Sequence, residues 1–406
     1  MKILGLYSKE IQKLYDRYYC NKKRVTKKVQ GIVHDVREEG DKAVLRYTRR
    51  FDRVKLSPRE IKVSANETNA AFQNIDTDFI SDLKKIIANI EKFHRRQLPK
   101  QWKIKCADGV RLGEIFRPIE SVGVYVPAGT APLVSSVYMS VLPAKIAGVK
   151  RIILATPPNR SGNINPHILA VANLLKVDEI YKMGGAQAIA ALAFGTKTIP
   201  KVDKIVGPGN DYVTEAKRQV YGYVDIDMLA GPSEVVILSN QFSDKEYVIS
   251  DLLAQAEHLK GLAVLVTTSK KFAKAMKKEI NKGYIVLAKN LDQAAEVINR
   301  IAPEHLEVLI KQPNRILKKI RNAGAIFIGP YSPVCIGDYV AGPSHVLPTG
   351  GTARFFSGLG VRSFLKGMHT VSYSKKALEK EKDAIEKITK IEGLEKHMES
   401  FRARFR

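Results

Sequence analysis

The chain has 406 residues, 45% of them hydrophobic, and three widely spaced cysteines, Cys20, Cys106 and Cys335; it can bury a sizeable core over more than one domain, with neither a disulfide framework nor a thiolate zinc cluster. No apolar run nears the ~20 residues of a membrane span, and Met1-Lys-Ile-Leu-Gly-Leu-Tyr-Ser-Lys9 is too poor in apolar residues for a secretory leader, so a cytoplasmic protein with no membrane partner is expected. The net charge of +26 raises nucleic-acid binding, but acids alternate with the lysines of Ala377-Leu-Glu-Lys-Glu-Lys-Asp-Ala-Ile-Glu-Lys387, and no aromatic residues interleave with basic runs such as Asn21-Lys-Lys-Arg24, so no nucleic-acid partner is expected.

Residues 1 to about 110 carry many charges, with apolar residues at helical spacing that include Val33, Val36, Ala43, Val44 and Tyr47, and predict a mostly helical scaffold. From about 115 to 240 the pattern changes to short apolar runs that end in Gly- or Pro-rich turns: Val122–Val126 before Pro-Ala-Gly129, Arg151–Ala155, Glu179–Met183, and Lys204–Val206. Repeated strand, turn and helix units predict a parallel α/β sheet, with ligands at the carboxyl ends of its strands. These turns hold no GxGxxG, so Gly207-Pro-Gly209 reads either as a phosphate-binding turn or as a tight turn alone. Gln187 and Asn210 read as helix caps or as groups that bind a ligand.

A second α/β unit is predicted to begin near Asp227, where Gly231-Pro-Ser233 leads into the apolar run Val235–Leu238 and Ser243-Asp-Lys-Glu246 has the form of a capping box. The helix it opens carries Gln255 and His258, whose spacing puts a carboxamide and an imidazole on one face; they read as metal ligands or as a polar surface pair. A further helix, Asp292–Ile301, stops at Pro303, and Glu304-His305 follows at a helix boundary. There both side chains can face one cleft as two bases of different natural pKa, or serve as a helix-terminal acid and a packing residue.

Residues 326–362 contain a long Gly- and Pro-punctuated loop, Gly329–Gly351, of a length that is usually functional, with Asp338 placed to meet a cation and His345 to contact substrate. Cys335 reads as a small apolar filler. Glu392 and His397 lie in the last fifteen residues, so a functional His397 requires this tail to dock on its own body or on a partner subunit. The other histidines, His34, His94, His167 and His369, read as surface or packing residues.

Taken in order, Gly184-Gly-Ala-Gln-Ala-Ile-Ala-Ala-Leu-Ala-Phe-Gly195, Gly207-Pro-Gly-Asn-Asp-Tyr-Val-Thr-Glu-Ala-Lys-Arg218, Ala230-Gly-Pro-Ser-Glu-Val235, Gln255-Ala-Glu-His258, Ala302-Pro-Glu-His-Leu-Glu307, Gly337-Asp-Tyr339, His345-Val-Leu-Pro-Thr349 and Glu392-Gly-Leu-Glu-Lys-His397 resemble the histidinol dehydrogenase family, from roughly residue 30 to the C-terminus. The resemblance implies two Rossmann-like, incomplete parallel-sheet domains with small helical terminal segments for dimerisation. It divides the chain into an N-terminal helical arm, 1–24; a discontinuous α/β domain, 25–120 and 234–358, carrying metal and catalytic residues; an inserted NAD-binding domain, 121–233; and a tail, 359–406.

It further implies NAD contacts at Tyr125, Gln187 and Asn210. One zinc ion per site would be held by Gln255, His258, Asp338 and His397, which then meet the substrate together with Ser233, His305, His345 and Glu392. The implied reaction takes L-histidinol through its aldehyde to L-histidine, with Glu304 activating water and His305 as general base, in a homodimer whose tail completes the partner's site. Three positions depart from the family pattern: Ala341-Gly-Pro-Ser344 stands where Gly-Thr-Asn is usual, Leu229 where proline is common, and Leu259-Lys260 where a small residue follows the histidine. Two other classes fit the residues less well, a zinc hydrolase working without NAD and a basic structural or nucleic-acid-binding protein.

Overall fold

The apolar runs of the middle third form strands. In the computed structural model, which describes residues 1–17, 23–128, 131–258 and 260–405, they are Ser121–Tyr125, Arg151–Thr156, Glu179–Lys182 and Lys204–Val206, joined by the short Asp225–Ile226. Cys20, Gly129 and Leu259 lie outside the described residues, as do two residues of the Asn21–Arg24 run. Two compact units are present, residues 1–97 with 119–364, and residues 98–118 with 365–406.

The first unit holds two parallel sheets. In the five-stranded sheet the spatial order is Glu179–Lys182, Arg151–Thr156, Ser121–Tyr125, Lys204–Val206, Asp225–Ile226, so the chain starts in the middle, winds outward, and returns past its first strand. This is the doubly wound order, with its switch point between Ser121–Tyr125 and Lys204–Val206. Helices that cover both faces let such strands be uniformly apolar; Gly185–Phe194, for instance, is buried along most of its length. Helices Lys23–Glu39 and Asp41–Phe51 also join this core, through Val29, Ile32, Val36, Val44 and Tyr47. They therefore pack on the five-stranded sheet and not, as the expected boundaries had it, with residues 234–358, because their apolar stripes match its helices Gly185–Phe194 and Asp211–Val220.

The six-stranded sheet runs Lys2–Leu4, Tyr284–Leu287, Leu262–Thr267, Glu234–Ser239, His305–Leu309, Ala325–Ile328, all parallel. The five strands other than Lys2–Leu4 repeat the same winding. The expected N-terminal helical arm instead begins with an edge strand of this sheet, and helix Lys9–Tyr15 buries Ile11, Leu14 and Tyr15 in its core. The cap of helix Lys245–Glu257 lies one residue beyond the expected serine: Asp244 accepts from the Glu246 amide at 2.8 Å, while the Ser243 hydroxyl donates to the Leu309 carbonyl.

In the second unit, strands Trp102–Lys105 and Leu365–Ser372 flank Arg111–Pro118 in an antiparallel sheet, followed by helices Lys375–Lys380, Lys382–Ile391 and Glu395–Arg402. The C-terminal segment is thus strand and helix, with Asp108 bonded to Lys376 and Lys380. No helix among the described residues is long and apolar enough to cross a membrane.

Candidate active site

Glu304 and His305 sit at the start of a central strand. Helix Leu291–Ile301 ends on Ala302 in the left-handed region, φ 49°, and after Pro303 the chain enters His305–Leu309. The expected helix boundary is thus a helix-to-strand turn, because His305 pairs in register with Val235 of the neighbouring strand. It also places the pair at the amino ends of the strands, opposite to the end at which parallel sheets usually bind ligands.

Both side chains are buried, and both are fixed by one residue. The Glu304 carboxylate accepts from the Glu234 amide at 2.8 Å; His305 Nδ1 donates to the Glu234 carbonyl at 3.0 Å and lies 3.5 Å from Glu304 Oε2. Burial pushes Glu304 up to about 7, against the opposing pull of His305, the Glu234 amide and the Ser233 hydroxyl. Burial by itself would lower His305, but the charge of Glu304 and the carboxylate of Asp338 outweigh it and raise the imidazole to about 9. His305 Nε2 faces Asp338 Oδ1 at 3.6 Å and is buried without a hydrogen-bond partner among the described residues.

Glu234, which the sequence reading passed over, is the hub. Its side chain, nearly fully buried, takes a two-pronged bond from Arg17, Nε at 3.0 Å and Nη2 at 2.7 Å, and accepts from the Gly350 amide at 3.0 Å. The available signal was an acid opening an otherwise apolar strand, where a buried charge has to be paired.

Asp338 belongs to a short helix, Val334–Tyr339, within the stretch read as loop. Its carbonyl accepts from His345 Nδ1 at 2.9 Å, and the Ser136 hydroxyl lies 3.4 Å from His345 Nε2; burial lowers the pKa of His345. Ser136 and Tyr138, whose hydroxyl donates to the Tyr339 carbonyl at 3.2 Å, project from helix Val134–Ala147 of the five-stranded sheet. A cavity of about 530 Å³ lined by His305, Phe327, Asp338 and His345 opens here. Behind it, Glu307 is fully buried two residues along from His305, so on the same face of the strand, and its Oε1 accepts from the amide of Val334, the first residue of the Asp338 helix, at 3.0 Å. Burial, with the Asp251 carboxylate beside it, raises Glu307 to about 8.

Gln255 is buried near the end of its helix with Nε2 unpartnered. His258 is the C-cap, with ψ 135°, so it leaves the helix and does not share a helical face with Gln255. A tight turn brings them together instead: a Cβ at Gly261 would lie 2.2 Å from the Gln255 carbonyl oxygen and 3.1 Å from His258 Cβ. The Asp338 helix adjoins this one: its Cys335, Ile336 and Tyr339 line one cavity with Tyr247, Ser250 and Asp251. Among the described residues no three His, Cys, Asp or Glu side chains converge closely enough to hold a metal. The donor set of the first unit, one carboxamide oxygen, one imidazole and one carboxylate, nevertheless suits zinc in type. Glu392 and His397 are exposed in the second unit, Glu392 as the C-cap of helix Lys382–Ile391 and His397 on helix Glu395–Arg402. Cys335 is exposed rather than an apolar filler, and partial desolvation together with the nearby carboxylates of Asp251 and Asp338 raises its pKa, leaving it a poor nucleophile.

A second cavity, about 660 Å³, lies at the carboxyl end of the five-stranded sheet and is lined by Tyr125, Gln187 and Asn210. Gln187 is buried with both amide atoms unpartnered. Asn210 caps helix Asp211–Val220, accepting from Tyr212 and Val213 amides at 3.0 and 3.2 Å, while the Tyr125 hydroxyl accepts from the Gly185 amide at 3.1 Å. Gly207, φ 113°, is obligatory: a Cβ there would lie 2.1 Å from the Tyr125 carbonyl oxygen.

Two doubly wound sheets, one with a dinucleotide-sized cavity at its carboxyl end and the other with a buried acid–base pair at its amino end, define an α/β enzyme of two Rossmann-like halves. The family model described as Histidinol dehydrogenase matches residues 16–405, and the chain belongs to that oxidoreductase family. It is 49% identical to histidinol dehydrogenase of Listeria monocytogenes over 404 residues, covering 95% of this chain and 94% of that one. Against the enzyme of Caldanaerobacter subterraneus it is 46% identical, covering 99% and 96%. The crystal structure of histidinol dehydrogenase from Elizabethkingia anophelis superposes with a TM-score of 0.93 at 36% identity, covering 100% of this chain and 97% of that one.

Proposed function

We propose that this chain oxidises L-histidinol through L-histidinaldehyde to L-histidine, the last step of histidine biosynthesis, in a cytoplasmic homodimer. The observation that carries the reading is the pair Glu304 and His305, buried side by side and both fixed on the main chain of Glu234. With Nδ1 committed to that carbonyl, Nε2 is the nitrogen that exchanges a proton, and it faces the cavity side of Asp338. Raised to about 9, His305 starts protonated at neutral pH; once Nε2 has released that proton, it takes the hydroxyl proton as hydride leaves the alcohol carbon. Glu304, whose raised pKa suits it to accept a proton near neutrality, then deprotonates the water that adds to the aldehyde, and His305, after releasing its first proton to solvent, takes the hydrate's proton as the second hydride departs.

NAD would accept each hydride from the cavity of Tyr125, Gln187 and Asn210, within residues 121–233. Gln255, His258, Asp338 and His397 of the partner subunit would hold one zinc ion, which supplies orientation of the substrate's imidazole and amino nitrogens. Ser233, His345 and Glu392 of the partner subunit would line the substrate. The test is absorbance at the NADH band with L-histidinol and NAD before and after chelation. Two NADH per histidinol, loss with chelator and recovery with zinc are expected; no NADH from histidinol would reject the reading.

A further inference from the structure

In doubly wound dinucleotide folds an acid just beyond the second strand takes the hydroxyls of the adenosine ribose. The five-stranded sheet has this winding, but its second strand, Arg151–Thr156, runs directly into Pro157, and Pro157 is what that turn presents to the cavity. Of the described residues lining the cavity, a single one is a carboxylate, Asp52, and it comes from outside the sheet.

Asp52 is the C-cap of helix Asp41–Phe51, which packs on the sheet through Val44 and Tyr47 and so delivers the carboxylate to the cavity. Its backbone amide is satisfied by the Thr48 carbonyl at 2.9 Å, but its Oδ2 is buried and unpartnered. Gln187, on the same lining, is 1% exposed with both amide atoms unpartnered. A carboxylate oxygen removed from water without a donor is costly, and paired hydroxyl donors relieve that cost. Burial raises Asp52 to about 6, so it is charged at neutral pH and poorly solvated. Lys28 and Arg50 line the same cavity and by themselves would welcome an extra phosphate; the carboxylate among them decides against it.

We infer that Asp52 accepts hydrogen bonds from the 2′- and 3′-hydroxyls of the adenosine ribose and selects NAD over NADP, whose 2′-phosphate would set a second anion against it. This rests on the NAD reading above. Calorimetric titration of the zinc-loaded wild type and of Asp52→Asn with NAD, NADP and an NAD lacking the adenosine 2′-hydroxyl tests it without turnover. The variant should bind NAD about tenfold more weakly and NADP no more weakly than the wild type does, and the missing hydroxyl should penalise the wild type alone. An unchanged NAD-to-NADP ratio in the variant, or no penalty for the missing hydroxyl on the wild type, would overturn the inference and leave the NAD reading standing. A wild type that binds no dinucleotide removes both.

Discussion

The main-chain carbonyl of Glu234 accepts the Nδ1 proton of His305 at 3.0 Å, and this one bond sets the tautomer of the imidazole that is assigned the general base. The amide of the same residue holds Glu304, so two groups with different tasks share a single rigid reference point at the head of a central strand.

Splitting the two oxidations should separate the two roles. His305→Asn is expected to slow both oxidations by about a hundredfold or more, whereas Glu304→Gln should mainly slow oxidation of the aldehyde. Single-turnover measurements started from histidinol and from histidinaldehyde distinguish them; equal aldehyde turnover in Glu304→Gln and wild type would remove Glu304 from the water step.

Arg17 neutralises the buried carboxylate of Glu234. Arg17→Ala leaves that charge unpaired and should destabilise the fold by about 3 kcal/mol or more, with a matching fall in turnover as Glu304 and His305 lose their anchor. Denaturant unfolding reads the first and steady-state kinetics the second, and Arg17→Lys should recover only part of both because one ammonium cannot replace the two-pronged contact.

Stability should carry a pH signature from Glu307. Its folded pKa is raised to about 8 by burial and by Asp251, so the folded state retains a proton that the unfolded chain releases near the ordinary carboxylate range. Stability from this group is therefore complete below that ordinary value and is lost as pH rises through about 8. Glu307→Gln keeps an acceptor for the Val334 amide but cannot ionise, so its melting temperature should gain on the wild type by about 2 °C or more between acid and mildly alkaline pH. Parallel melting curves across that range would show that Glu307 does not titrate in the fold.

Metal content offers a check that does not depend on turnover. Gln255→Ala and Asp338→Ala should each copurify with less zinc than the wild type, while His369→Ala, a surface strand residue of the second unit, should retain it. Elemental analysis of the purified proteins decides, and full zinc in Asp338→Ala would exclude Asp338 from the ligand set.

Local pattern made much of this legible. The runs near 122, 151, 179 and 204 are strands within a residue or so of their predicted bounds, since short, β-branched apolar runs between Gly and Pro turns suit a buried parallel sheet and are too short for buried helices. The cap of Lys245–Glu257 shifted by one residue because serine and aspartate compete for the same task and Ser243 found a partner in Leu309. The helix within the 326–362 stretch escaped notice, as its six residues, Val334–Tyr339, are too few to show a period.

By itself the sequence determined which residues are apolar, in what rhythm, and which ordered motifs place the chain in its family. Only the tertiary structure decided that Glu234 anchors both Glu304 and His305, that Arg17 stands behind it, and that Asp52 supplies the carboxylate that the turn at Pro157 lacks. The reason is that periodicity reports neighbours a few residues apart, whereas Arg17 and Glu234 are 217 positions apart and Glu234 and His305 are 71 apart, and meet only when the sheet closes.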